Sequence, residues 1–212
     1  RLSGFTITGA VVDVNGAGIY AESGAQIAAC ILRGNVTTTE GGGVYGGSLV
    51  NCLLTGNVAS NGAGAANANL NYCTVAGNLA SAGGGGTKDC TLLNSIVQSN
   101  ALDNVSGGVA TYTCMAPMLA GIGNITNDPA FTDMPGGDFR LTYESACLGA
   151  ASGGVGVDLN GTPRPQPTVF GGTAGNDMGC YEYYPRARFV WENGNGIPPY
   201  ETWPDAATTI QA

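Results

Sequence analysis

"GGGVYGGSLVNCLLTGNVAS", residues 41–60, is the stretch that decides the fold. A run of glycines leads into a short apolar burst, and the burst closes on Gly-Asn. The phrase recurs along the chain. The bursts are "FTITGA" (5–10), "CILRGN" (30–35), "CLLTGN" (52–57), "CTVAGN" (73–78) and "SIVQSN" (95–100). Their last residues, Ala10, Asn35, Asn57, Asn78 and Asn100, stand 25, 22, 21 and 22 apart. Glycine phrases keep step from Gly16, Gly41, Gly62, Gly83 and, more weakly, Gly107. A period of about 22 residues over five turns is too short for a two-helix repeat and fits one coil of a β-solenoid.

Column chemistry agrees. The first and third burst positions hold Phe5/Ile7, Cys30/Leu32, Cys52/Leu54, Cys73/Val75 and Ser95/Val97, and the fourth holds Thr8, Arg33, Thr55, Ala76 and Gln98. This alternation predicts a half-buried strand with the first set turned inward. A second inward column is expected at Leu2, Ile27, Leu49, Leu70 and Leu92. Gly or Ser at the fifth position lets the chain turn without a Cβ clash. Cys30, Cys52 and Cys73 share one inward column, where free thiols act as small hydrophobes and a bridge between adjacent coils is conceivable but not demanded. Asn35, Asn57, Asn78 and Asn100 are predicted to stack as a ladder passing amide hydrogen bonds along the axis. Five coils at a strand spacing of ~4.8 Å make a rod on the order of 24 Å long.

Composition points the same way. Glycine is 36 of 212 residues and charged residues are only 10%, far below the usual quarter. Apolar content of 43% can fill a core, so disorder is not expected. The net charge of −8 argues against a nucleic-acid partner, which needs clustered Lys and Arg. No run of 18 apolar residues exists, so membrane insertion is not expected. The opening residues already read as part of a coil, which places the natural N-terminus elsewhere. Cys90, Cys114, Cys147 and Cys180 fall outside the inward Cys column. A Cys114–Cys147 disulfide is one pairing to expect, and the odd count of seven leaves a thiol over unless it pairs between chains.

After about residue 105 the glycine phrase fades and single-use turn signals appear. They are "NDPAF" (127–131), "MPGGDFRL" (134–141), "DLNGTPRPQP" (158–167) and "DMGCYEY" (177–183). This ordered set resembles the C-terminal end of bacterial right-handed parallel β-helix proteins of the choice-of-anchor type. Their pattern reads roughly DPxF, GDYRL, SPCIDAG, D-x-GxPR and D-[IM]-GAYE. The upstream phrases are similar to the GGA[IV]Y and FxxN repeats of polymorphic outer-membrane proteins. The likeness covers most of residues 1–184. "SACLGA" (145–150) departs from it, lacking the proline and the acidic residue, and Cys180 stands where alanine is commoner. The resemblance implies a right-handed parallel β-helix placed outside the cell or on its surface; it supplies no reaction.

The tail "RFVWENGNGIPPYETWPDAATTIQA" (188–212) resembles the opening of such proteins, where a strand and a Gly/Pro loop lead into a capping helix. A short terminal helix is expected from Asp205, its N-cap. Residues 1–105 are thus read as regular coils, 106–184 as irregular C-terminal coils and a capping region, and 185–212 as a linker and the start of a following unit. That tail, with Trp191, Trp203 and Ile210, is expected to dock on a tandem or self-associating neighbour and cover an open coil edge.

Catalytic chemistry is poorly provided for. The chain has no histidine, so no imidazole base or Ser-His-Asp triad is available. The acids of residues 1–105 are Asp13, Glu22, Glu40, Asp89 and Asp103, and no two share a column as a carboxylate pair would require. Lys88, a base for lyase chemistry, is set apart from Arg33 and from any acidic cluster. Asp128, Asp133 and Asp138, five apart, are weak candidates for a calcium site; solvated turn aspartates are the plainer reading. No cofactor is expected. The second burst position reads Thr6, Ile31, Leu53, Thr74, Ile96. Aliphatic residues on a face expected to be wet call for cover, either by segment 106–184 or by another subunit against Ile31, Leu53 and Ile96. The expectation is a non-catalytic extracellular scaffold: an adhesin, spacer or filament-forming unit. The alternative is a solenoid that binds or cleaves polysaccharide, such as a cell-surface glycan.

Overall fold

The computed structural model describes residues 1–154, 156–167 and 174–184. The terminal segment carrying Trp191, Trp203, Ile210 and the helix expected from Asp205 lies outside them. From Leu2 to Met115 the chain is a β-solenoid of stacked coils. Among the described residues, its strands form four parallel sheets. The first contains Leu2–Ser3, Gln26–Ala28, Ser48–Val50, Asn69–Asn71, Thr91–Leu93 and Val109–Thr111. The second contains Thr6–Thr8, Ile31–Arg33, Leu53–Thr55, Thr74–Ala76, Ile96–Gln98 and Cys114–Met115. The third runs from Val11–Val12 to Leu79–Gly83, and the fourth from Ile19–Tyr20 to Val105–Ser106. All paired strands of these sheets are parallel, as successive coils require.

The inward columns stack in register. Ile7, Leu32, Leu54, Val75, Val97 and Met115 are successive partners in the second sheet. Leu2, Ile27, Leu49, Leu70, Leu92 and Ala110 are successive partners in the first. From Ile27 and Leu32 onward both columns are buried, and with Cys30, Cys52, Cys73 and Val44 they make one continuous core. Like residues therefore bury like, coil upon coil.

The Asn ladder forms with every amide group used. Asn57 Nδ2 donates to Leu32 O at 2.9 Å and to Asn78 Oδ1 at 3.0 Å, while its Oδ1 accepts from the Asn35 backbone N–H and Nδ2, both at 3.1 Å. Asn78 bonds to Asn100 in the same way. One rung was not legible in the repeat: Asn100 bonds onward to Asn104 Oδ1, which ends the ladder inside the same coil. This ladder also explains the glycine phrase. A Cβ on Gly43 would stand 2.5 Å from Gly64 O and 3.0 Å from Asn57 Nδ2, and Gly18, Gly64 and Gly86 occupy the same slot on their own coils. Only a residue without a side chain lets the amides approach the turn. The structure also shifts one phrase by a residue. Asn61 pairs with Gly83, so Gly84, not Gly83, is the equivalent of Gly62.

All seven cysteines are buried thiols. Cys30, Cys52 and Cys73 each turn the thiol back to the carbonyl two residues earlier, and Ser95 and Thr113 do the same with their hydroxyls further up the column. Cys90 lies in the core, with Sγ near Lys88 O and Ala65 O, and burial pushes its thiol up to about 12.

Candidate functional site

The second sheet carries an outward column that its neighbours alone leave open: Thr6, Ile31, Leu53, Thr74, Ile96 and Cys114. The structure places later parts of the same chain over it, among them the hairpin from Phe131 to Leu141, Cys147 and the strip from Met178 to Tyr181. Leu53 packs with Phe139 and Cys180, with Ile31, Met134 and Tyr181 alongside, and is 4% exposed. Ile96 packs with Leu141, Cys147 and Met178 and is 1% exposed. Leu53 and Ile96 are therefore not free to meet another chain; the cover is intramolecular. The cap begins with an antiparallel hairpin, Phe131–Asp133 against Asp138–Leu141, whose Phe131 ring meets Phe139 edge-on at 5.5 Å.

The "DMGCYEY" motif is the strip that lies flat on this column. Met178 sits at Ile96, and Cys180 donates its N–H to Thr74 Oγ1 at 3.1 Å. Gly179 lies between them at φ +92°, where a Cβ would stand 2.7 Å from Thr74 Oγ1 and 2.8 Å from Ile96 Cδ1. The motif's glycine is thus a contact requirement.

Beside the strip sits a cluster of buried ionisable groups. The Arg164 guanidinium pairs with Glu182 at 2.6 Å, and both side chains are fully buried. It also donates to Asp177 O at 2.9 Å and Gly179 O at 2.8 Å, and lies 4.5 Å from the centroid of the Tyr72 ring. Asp158 Oδ1 accepts from the backbone N–H groups of Asn160 and Thr162, and its Oδ2 from that of Glu182. Asp177 accepts from Gly149 and Tyr183, and Glu182 from Gln166 and Asp177. Burial pushes Asp177 up to about 6 and Glu182 up to about 7. The Glu182 carboxylate thus pairs with the guanidinium, the Asp177 carboxylate lies within its field, Asp158 ties the Glu182 backbone to the 158–162 turn, and all three carboxylates accept backbone N–H bonds. We call this the clasp.

A row of corner residues anchors it to the coils. Ala29, Asn51, Tyr72, Asn94 and Tyr112 all adopt positive φ. Asn51 donates to Val157 O at 2.7 Å, and Asn94 bonds both the N–H and the carbonyl of Ser152. The Tyr72 hydroxyl donates to the carbonyls of Ser152 and Gly153. The sequence marked "DLNGTPRP" and "DMGCYEY" as a resemblance but gave Asp158, Arg164, Asp177 and Glu182 no roles. Tyr72 and Asn94 were visible only as the residues preceding the Cys30–Cys52–Cys73–Ser95 column.

The other candidates are occupied locally. Lys88 is ion-paired with Glu40, a carboxylate not foreseen beside it, and that bond raises the lysine. Asp128 caps the Ala130 N–H, Asp133 caps Gly136, and Asp138 pairs with Arg140. Asp133 and Asp138 are cross-strand partners in the hairpin, each turned to its own local bond, and no group of three His, Cys, Asp or Glu able to hold a metal ion occurs among the described residues. Cys114 and Cys147 are unbonded thiols in one apolar cluster under the cap rather than a disulfide. Comparison with protein-family models, curated proteins and solved structures found no match to this chain.

Proposed function

We propose that this chain is a structural β-solenoid of the cell surface or extracellular space, a spacer, adhesin or array-forming subunit akin to the repeat proteins it resembles. One observation carries the reading. The clasp holds two acids with raised pKa values, Asp177 and Glu182, yet their oxygens accept the backbone N–H groups of the cap itself. A catalytic acid needs a proton and a lone pair turned toward substrate; these are turned toward the fold. Lys88, held charged by Glu40, is likewise poorly suited to abstract a proton.

The test joins location to activity. Antibody labelling of intact cells should find the chain on the surface or in the medium, and electron microscopy of the purified protein should show rods or ordered assemblies. Incubation with acidic polysaccharides should release no unsaturated or reducing products. Cytoplasmic retention would overturn the placement, and turnover abolished by a Lys88 or Glu182 substitution would overturn the scaffold reading in favour of an enzyme.

A further inference from the structure

Cys114 and Cys147 differ from the other cysteines in coming from two different layers. Cys114 ends the outward column of the second sheet on the last strand of that sheet. Cys147 comes from the cap, in the turn whose carbonyl receives the Met178 N–H at 3.0 Å. Both are fully buried and share one cluster with Ile96, Leu141 and Met178. Each thiol is the foremost influence on the other's ionisation. Cys147 holds Cys114 down, and Cys114, with burial, holds Cys147 up.

Cys52 and Cys73 influence each other's ionisation in the same way, so what sets the column cysteines, Cys30, Cys52 and Cys73, apart is geometry. They project in parallel from in-register strands, so their Cβ atoms keep the strand spacing of ~4.8 Å, whereas a disulfide wants ~3.5–4.5 Å. Two cysteines that face each other across a layer are free of that constraint.

We propose that Cys114 and Cys147 form a dithiol couple that oxidises to a disulfide, stapling the cap to the end of the solenoid, while the other five cysteines remain thiols. The staple rests on the extracellular reading only for its oxidant, a small-molecule disulfide such as glutathione disulfide. The Cys114 thiolate attacks one sulfur of the reagent, releasing one glutathione thiolate and leaving a mixed disulfide. The Cys147 sulfur, its proton passed to solvent, then displaces the second glutathione. One reagent S–S bond is exchanged for one protein S–S bond, and two electrons pass from protein to reagent. Because both sulfurs are buried in the closed structure, exchange occurs before the cap seats.

Refolding the purified chain in a glutathione buffer, then alkylating it, tests this apart from cellular location. The folded product should carry five alkylated cysteines of the seven in the sequence. Cleavage after Arg140 should yield two peptides, bearing Cys114 and Cys147, that stay joined until a reductant is added. Cys147→Ser should give six alkylated thiols and no linked peptides, and Cys52→Ser should keep the link. A reductant should lower the denaturation midpoint of the wild type and leave Cys147→Ser unmoved. Seven alkylated thiols in folded protein, or a Cys52–Cys73 link, would overturn the proposal. The wild-type count decides even if Cys147→Ser fails to fold.

Discussion

The guanidinium of Arg164 lies 4.5 Å from the centroid of the Tyr72 ring, and the hydroxyl of that ring donates to the carbonyls of Ser152 and Gly153. One corner residue of the solenoid thus grips the cap by both its face and its tip. The same guanidinium is the cation for Glu182 and Asp177, so coil and cap meet at one charged group.

Arg164→Met should therefore cost more than a lost surface pair. It leaves buried carboxylates without a cation, which destabilises by about 3–5 kcal/mol. Urea unfolding followed by near-ultraviolet circular dichroism measures this, and a loss below about 1 kcal/mol would show that the clasp does not hold the cap.

Stability should fall as pH rises. Asp177, raised from 3.8 to about 6, and Glu182, raised from 4.5 to about 7, bind more protons folded than unfolded between about pH 4 and 7. Their contribution is complete below the unfolded values and is lost as pH climbs through the folded ones. At about 1.4 kcal/mol per unit, Asp177 alone is worth on the order of 3 kcal/mol across that window, and Glu182 acts in the same direction. Denaturation midpoints from pH 4 to 8 should decline, with the slope flattened in Asp177→Asn. A flat wild-type profile would contradict the burial argument.

Asn57→Ala removes the middle of the ladder. Leu32 O and the backbone N–H of Asn35 would lose their side-chain partner in a buried site, while Asn78 Oδ1 keeps the backbone N–H of residue 57 and Asn35 Nδ2 keeps Ile7 O. At about 1–3 kcal/mol for each group left unpaired, with incomplete additivity, the expected loss is about 3–5 kcal/mol. Calorimetry on the variant checks it, and a near-neutral result would mean that water replaces the rung.

Ala29→Gly should stabilise. Ala29 holds φ at +48° in the corner row, a conformation that costs an L-residue roughly 1–2 kcal/mol. Glycine relieves that strain and gives back part of it as chain entropy, for a net gain of about 0.5–1 kcal/mol. A lowered midpoint would show that the alanine methyl packs better than its backbone suggests.

The coils were legible because each repeat position meets the same neighbours on every turn, so Leu32, Leu54 and Val75 announce one another. Asn104 escaped because it ends the ladder from four residues beyond Asn100, off the period. The cap was legible as punctuation only. Nothing local ties Arg164 to Tyr72 or Cys180 to Leu53, since these contacts join single-use segments to the repeat across about a hundred residues. Ile31, Leu53 and Ile96 announced that they needed cover, and the chain's own segment 106–184 was the plainer of two covers the pattern allowed. Glu40 beside Lys88 was missed because Lys88 reaches across the intervening coil, past the small residue Ala66.

The cap has a consequence for how such a rod can change length. Its strip is fitted side chain by side chain to Leu53, Thr74 and Ile96, with Ile31 at one margin and Cys114 at the other. Inserting or deleting a turn between Ile31 and Cys114 would throw those contacts out of step, as a missing tooth does to a zip. Thr6 lies exposed outside that grip, bound only by pairing with Ile31. Growth by copied turns is therefore tolerated on that side of Ile31 alone, where the cap takes no measurement.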